Sequence, residues 1–237
     1  MAGKPSSGRT DVAKAVERQM RYWELARSQQ HEPRAATADH EVQDFVSISR
    51  MVGAGGGALT EKLSQRLSWP VFDREILQAM AGDDRVRARL YEDLDERDLG
   101  WIESTLRWLM GGEFRREEYF PRLSETVLAL ARQGNAVFLG RGADMMLPRE
   151  RGLRVYLVAP PEVRARRFAE RTGVSTALAM AEVERIQQER TDFLRHHFGK
   201  RAGELTRHDV VVNTDRFPIA ETMELVCQAL RARGILK

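Results

Sequence analysis

The chain has 237 residues, with 38 Lys and Arg against 35 Asp and Glu and a formal charge of +3 at neutral pH. That balance is too even to imply nucleic-acid binding by itself. With 42% hydrophobic and 31% charged residues, the composition supplies a globular core and excludes wholesale disorder. No run approaches the roughly 18 uninterrupted apolar residues of a membrane span. The opening MAGKPSSGRT has no apolar segment behind its charges, as a secretory signal would. The expectation is a cytoplasmic protein with no membrane partner. The lone cysteine, Cys227, cannot close an intramolecular disulfide and reads as a small core residue in a reducing compartment.

In chain order, residues 1–40 read as an N-terminal appendage, partly flexible, around one helix. Within DVAKAVERQMRYWELARSQQ, Val12, Val16, Met20 and Trp23 recur at helical spacing and predict an amphipathic helix. Its apolar face is expected on the chain's own domain or on a second copy in a homodimer, in preference to a membrane surface, against which its acidic residues argue. A polar stretch follows at 33–39. Residues 41–237 then alternate strand-like and helical runs, the pattern of a parallel sheet covered by helices. The predicted strands are Phe45–Ser49, a short one around Val71–Phe72, Ala136–Leu139, Leu153–Val158 and Asp209–Asn213. A helical insertion over 75–132 separates the second strand from the third. Residues 161–200 read as two basic helices, with Pro161 at a first helical position, Gly173 as punctuation and Ser175 as a cap. The last helix opens after Pro218, carries Ile219, Met223, Val226, Cys227 and Leu230 as its stripe, and stops at Gly234.

Three segments carry chemistry. In SISRMVGAGGGALTEKL, a strand runs through Gly53, Ala54, Gly55, Gly56 and Gly57 into a helix. Such a loop presents backbone N–H groups at a helix N-terminus, where the dipole favours phosphate. A Walker loop would end in G-K-[ST]; here Gly56, Gly57 and Ala58 stand there, so the lysine and the hydroxyl are missing. Arg50 and Lys62 are the nearest cations that substitute. In AVFLGRGADMML, an apolar strand delivers Arg141 and Asp144 to the sheet's carboxyl edge, where open α/β sheets bind ligands. The arginine offers a planar fork for phosphate, and the carboxylate an acceptor for an amine or hydroxyl. In the two basic helices, Arg190 and Arg195 are placed to close over a polyphosphate as a lid does. His196 and His197 are adjacent and do not share a helix face, so no metal site is expected there.

Taken together, ISRMVGAGGGALTEKLSQRLSWPVFDREIL, VFLGRGADMML, RVYLVAPPEVRARR, the QQERTDF helix and DVVVNT resemble the cytidylate kinase-like family. This is a divergent branch of P-loop nucleoside monophosphate kinases, and the likeness spans Phe45 to about Arg233. The resemblance implies a three-layer α/β fold: a five-stranded parallel sheet flanked by helices, with an acceptor-binding helical insertion and an arginine lid. It also implies an ATP- and Mg²⁺-dependent kinase acting on a nucleoside monophosphate, most of all CMP or dCMP. Under it, Gly53, Ala54, Gly55, Gly56 and Gly57 cradle the donor phosphates with Arg50. Asp73, Arg122, Arg141 and Asp144 hold the acceptor. Arg190 and Arg195 join Arg141 around the migrating group. Departures from the pattern are Gly57 where relatives tend to carry arginine, Ser124 in place of a second acceptor arginine, Asp144 not directly following its arginine, and Gln187 in place of a lid acid. They leave open a second reading: a catalytically impaired nucleotide sensor or interaction protein on the same fold.

Overall fold

The sheet forms where β-branched and aromatic residues run unbroken between glycine, proline and aspartate. In chain order the strands are β1 (Phe45–Arg50), β2 (Val71–Phe72), β3 (Ala136–Leu139), β4 (Gly152–Val158) and β5 (Val210–Asn213). All pair in parallel, in the order β2-β3-β1-β4-β5. The helices are α1 (Ser7–Gln29), α2 (Gly56–Leu67), α3 (Arg74–Gly82), α4 (Asp84–Tyr91), α5 (Glu96–Leu109), α6 (Tyr119–Gln133), α7 (Ala143–Met146), α8 (Pro161–Thr172), α9 (Thr176–Phe198) and α10 (Ile219–Ala232). Two short 3₁₀ turns, Gly199–Gly203 and Leu205–Arg207, join α9 to β5. The structure, a computed structural model, describes residues 7–29, 42–92, 94–111 and 119–236. The polar stretch at 33–39 lies outside them.

Period-two alternation sorts each strand's side chains between two cores. Val46, Ile48, Val137, Leu139, Leu153, Val155 and Leu157 pack beneath α2 and α10, with Val226, Cys227 and Leu230. Phe45, Phe72 and Phe138 point the other way, into a cluster built with the helical insertion. Among the described residues the insertion holds four helices, broken where Asp83 caps α4 and Asp95 caps α5 through side-chain bonds to backbone amides. Each cap satisfies donors that the new helix leaves orphaned.

Helix α1 packs on its own domain. Val16, Met20 and Trp23 are buried in the same cluster as Phe45 and Phe72. Gln19 accepts a bond from the Val71 N–H, and Arg89 of α4 reaches Glu17 and Glu24 at 3.1 and 2.7 Å. The predicted apolar stripe is thereby spent within the chain. Among the described residues no helix is long and apolar enough to cross a membrane.

Candidate active site

Three adjacent strands deliver polar residues to the sheet's carboxyl edge. Strand β2 runs into Asp73 and Arg74, β3 into Gly140, Arg141 and Gly142, and β1 ends in Ser49 and Arg50. Helix α9 crosses over this edge and closes a cavity of about 390 Å³. Six arginines line it: Arg50, Arg74, Arg141, Arg190, Arg195 and Arg207. The floor comes from the insertion-facing side of the sheet, where the β1–β4 register sets Ser49 beside Tyr156.

Each guanidinium is placed differently. Arg50 folds back so that its stem lies against Gly56 and its Nη1 fills the space where a Gly140 Cβ would stand. Burial and the nearby Arg190 charge push it down to about 9. Arg190 is pushed down to about 10 by burial and by Arg74 and Arg171, and its buried Nη1 has no hydrogen-bond partner. Arg141 adopts φ +56. Its guanidinium sits 4.9 Å from the Phe193 ring centre and 5.8 Å from that of Tyr119, and its Nη2 donates to Gln78 at 3.1 Å. Cation–π contacts from the insertion and from α9 thus hold one arginine in a conformation its backbone disfavours. Among the described residues, the side chains of Arg50, Arg74, Arg190 and Arg195 form no hydrogen bond or ion pair within the protein. Arg50 and Arg190, half-buried with no carboxylate partner, lose solvation and are repelled by the neighbouring cations, and an incoming anion relieves both.

The end of α9 is fixed to the insertion. His197 stacks on Phe120 with ring centres 3.9 Å apart, and Phe198 meets the same ring edge-on. Burial pushes His197 down to about 4.

Not every predicted residue reaches the cavity. Asp144 is 1% exposed and lies beneath it. There Asp144 accepts from Ser49 Oγ at 3.1 Å and pairs with Arg207, a cavity-lining residue. His208, 3.6 Å away, is pushed down to about 4 by burial and by Arg207, and so is neutral. Asp73 caps α3, accepting from the Glu75 and Ile76 amides at 2.9 and 3.0 Å. Arg122 pairs with Asp84 at 3.4 Å and does not line the cavity.

The glycine loop borders the cavity through Arg50. Gly53 has φ +81, and a Cβ there would fall on the Arg164 carbonyl and within 2.8 Å of its Cα. The Val52 N–H donates to Gln187 of α9 at 3.0 Å, which ties loop to lid. Gly57, in the first turn of α2, is exposed and has nothing within 4 Å of its Cβ direction. Lys62 is exposed one turn further on.

Sequence reading missed Arg74, Tyr156 and Arg207 as cavity residues. Arg74 had a signal, being the first helical residue after a capping aspartate. The other two depend on strand register and on the path of the 3₁₀ turns. The unpaired guanidiniums fit a polyphosphate, which accepts charge-assisted bonds from planar forks. A side-chain site for Mg²⁺ is not assembled. Among the described residues no group of three or more His, Cys, Asp and Glu comes together, and Asp144 is committed to Arg207.

The sequence profile described as the cytidylate kinase-like family matches residues 45–216. A cytidylate kinase of Pyrococcus horikoshii is 32% identical over 174 residues, 73% of this chain and 80% of that protein. Another, of Halobacterium salinarum, is 26% identical over 189 residues, 79% of this chain and 90% of its own length. Among solved structures, an uncharacterized protein of Eubacterium ventriosum aligns with 80% of this chain and 99% of itself at a TM-score of 0.65 and 17% identity, a likeness of fold.

Proposed function

Because the chain belongs to the cytidylate kinase-like family, we propose that it is a nucleoside monophosphate kinase that uses ATP, with CMP or dCMP as acceptor. The observation that carries this reading is the set of arginines without protein partners around one cavity at the sheet's carboxyl edge. Phosphoryl transfer needs positioning and charge neutralisation more than covalent help from the protein. An acceptor phosphate oxygen forms the new bond to the γ-phosphorus as the bond to the bridging oxygen breaks, and ADP leaves. Gly53, Ala54, Gly55, Gly56 and Gly57 bring the α2 N-terminus to the donor, and Arg50 supplies the cation the loop lacks. Arg141 takes the acceptor side, while Arg190 and Arg195 neutralise the migrating group from α9. Asp144 serves the acceptor by holding Arg207 and Ser49, Asp73 by fixing the start of α3, and Arg122 by its bond to Asp84 of the insertion. Mg²⁺ entering with ATP would screen phosphate charge.

The second reading, a nucleotide sensor without turnover, is favoured by Gly57 and Ala58, which stand exposed where a lysine and a hydroxyl would act. ADP release from ATP with CMP, dCMP, UMP and AMP in turn separates the two. Turnover with one acceptor supports the kinase. Binding of ATP with no turnover of any acceptor supports the sensor.

A further inference from the structure

We propose that Arg74 is the residue that captures the acceptor's phosphate, with Asp73 as its positioning residue; this deepens the kinase reading and rests on it. The Asp73 carboxylate is turned into its own helix, accepting two backbone amides, and it faces the groove beside α1 rather than the arginine cavity. Arg74 occupies the first turn that this cap locks, lines the cavity, and has no protein partner among the described residues.

Topology says which phosphate it meets. Strands β2, β3 and β1 are neighbours in that order, so Arg74, Arg141 and Arg50 form a row along the carboxyl edge. Strand ends step by about 5 Å, so the row extends over about 10 Å. Arg50, at the β1 end, lies against Gly56 and therefore beside the glycine loop. Arg74, at the β2 end, is the member of the row two strands away from that loop and belongs to the insertion. Arg190 faces the row from α9, and the Arg74 charge is felt by Arg50, Arg141, Arg190 and Tyr119 alike. Two phosphate groups drawn in line between the ends of such a row place the donor at Arg50 and the acceptor at Arg74. A planar fork at the exposed end of the row, held by a capped helix, is placed to take the monophosphate.

The test is calorimetric titration of ATP and of CMP, separately, into wild type, R74A, R74K and R185A at fixed ionic strength. Arg185 is on α9 but outside the cavity, paired with Glu182 and Glu189, and controls for loss of charge. R74A is expected to weaken CMP by roughly 10–100-fold, the worth of a charge-assisted bond, and to leave ATP within about twofold. R74K should recover part of the loss, because it keeps the charge and loses the fork; that recovery also shows the site intact. If CMP binds R74A as it binds R185A, or if ATP is weakened as much as CMP, the Arg74 assignment is overturned while the kinase reading stands. Wild-type protein that takes up neither nucleotide overturns both.

Discussion

Replacing Gly53 with alanine probes the packing of the glycine loop more sharply than any charge change. At φ +81 the added Cβ would fall on the Arg164 carbonyl and within 2.8 Å of its Cα. Both are backbone atoms of α8, which cannot swing aside as a side chain would. Holding a non-glycine residue in the left-handed region costs about 1–2 kcal/mol, and forcing atoms into a filled space adds about 1–3 kcal/mol. Gly53→Ala should therefore lose about 2–5 kcal/mol. Gly57→Ala is the internal contrast. That residue is exposed in the first turn of α2 and meets nothing within 4 Å. An alanine there should be neutral or stabilise by about 0.5–1 kcal/mol through lower unfolded-state entropy. Equilibrium urea unfolding of the two variants beside wild type, compared at constant slope, reads the difference. Equal midpoints for the two variants would refute this account of the loop, because it would mean that Gly53 has room the structure denies it.

Trp23→Ala, which empties a site 2% exposed in the main core, should cost about 3–5 kcal/mol; a thermal melt unchanged from wild type would show that α1 is not part of that core. His208 is neutral in the fold, pushed from 6.5 down to about 4, so the unfolded chain takes up its proton first. Stability present above pH 6.5 is thus lost as pH falls from 6.5 towards 4, by about 2–3 kcal/mol from this group. His208→Gln should flatten urea midpoints measured between pH 7 and 5. Asp73→Ala removes the α3 cap and should cost about 1 kcal/mol, read as a small fall in melting temperature; no fall would mean the cap bonds do not form.

Much of the sheet was legible because its strands are bounded by residues that cannot continue them. The third strand occupies Ala136–Leu139 as expected, and the second is Val71–Phe72. The fifth begins at Val210 rather than Asp209, because the Asp209 carboxylate accepts from the Arg154 amide and from Arg149. The insertion read as one helical region, although Asp83 and Asp95 carried the signals that divide it. The N-terminal helix showed its apolar stripe, yet a stripe does not say what covers it; Gln19, Glu17 and Glu24 choose the chain's own domain through partners about 50–70 positions away. Arg50 and Arg141, expected beside the glycine loop and after the third strand, and Arg190 and Arg195, expected on the basic helices, all line the cavity. Asp144 was expected in the cavity and lies below it, because its pairing with Arg207 depends on 3₁₀ turns that periodicity does not reveal. The glycine run reads as open backbone, whereas Arg164, Ile219 and Arg50 fill the space beside Gly53, Gly55 and Gly56. Close approach between distant segments leaves no local trace in sequence.

The central claim, that the arginine-lined cavity performs phosphoryl transfer, is tested most directly by kcat/KM for ATP-dependent phosphorylation of CMP by wild type and Arg141→Ala, with Arg185→Ala as control. Loss of one preorganised donor at the transferring group should remove about 2–4 kcal/mol of transition-state stabilisation, a fall of about 30- to 1000-fold, while the control keeps its rate. Turnover by Arg141→Ala at the wild-type rate would contradict the account.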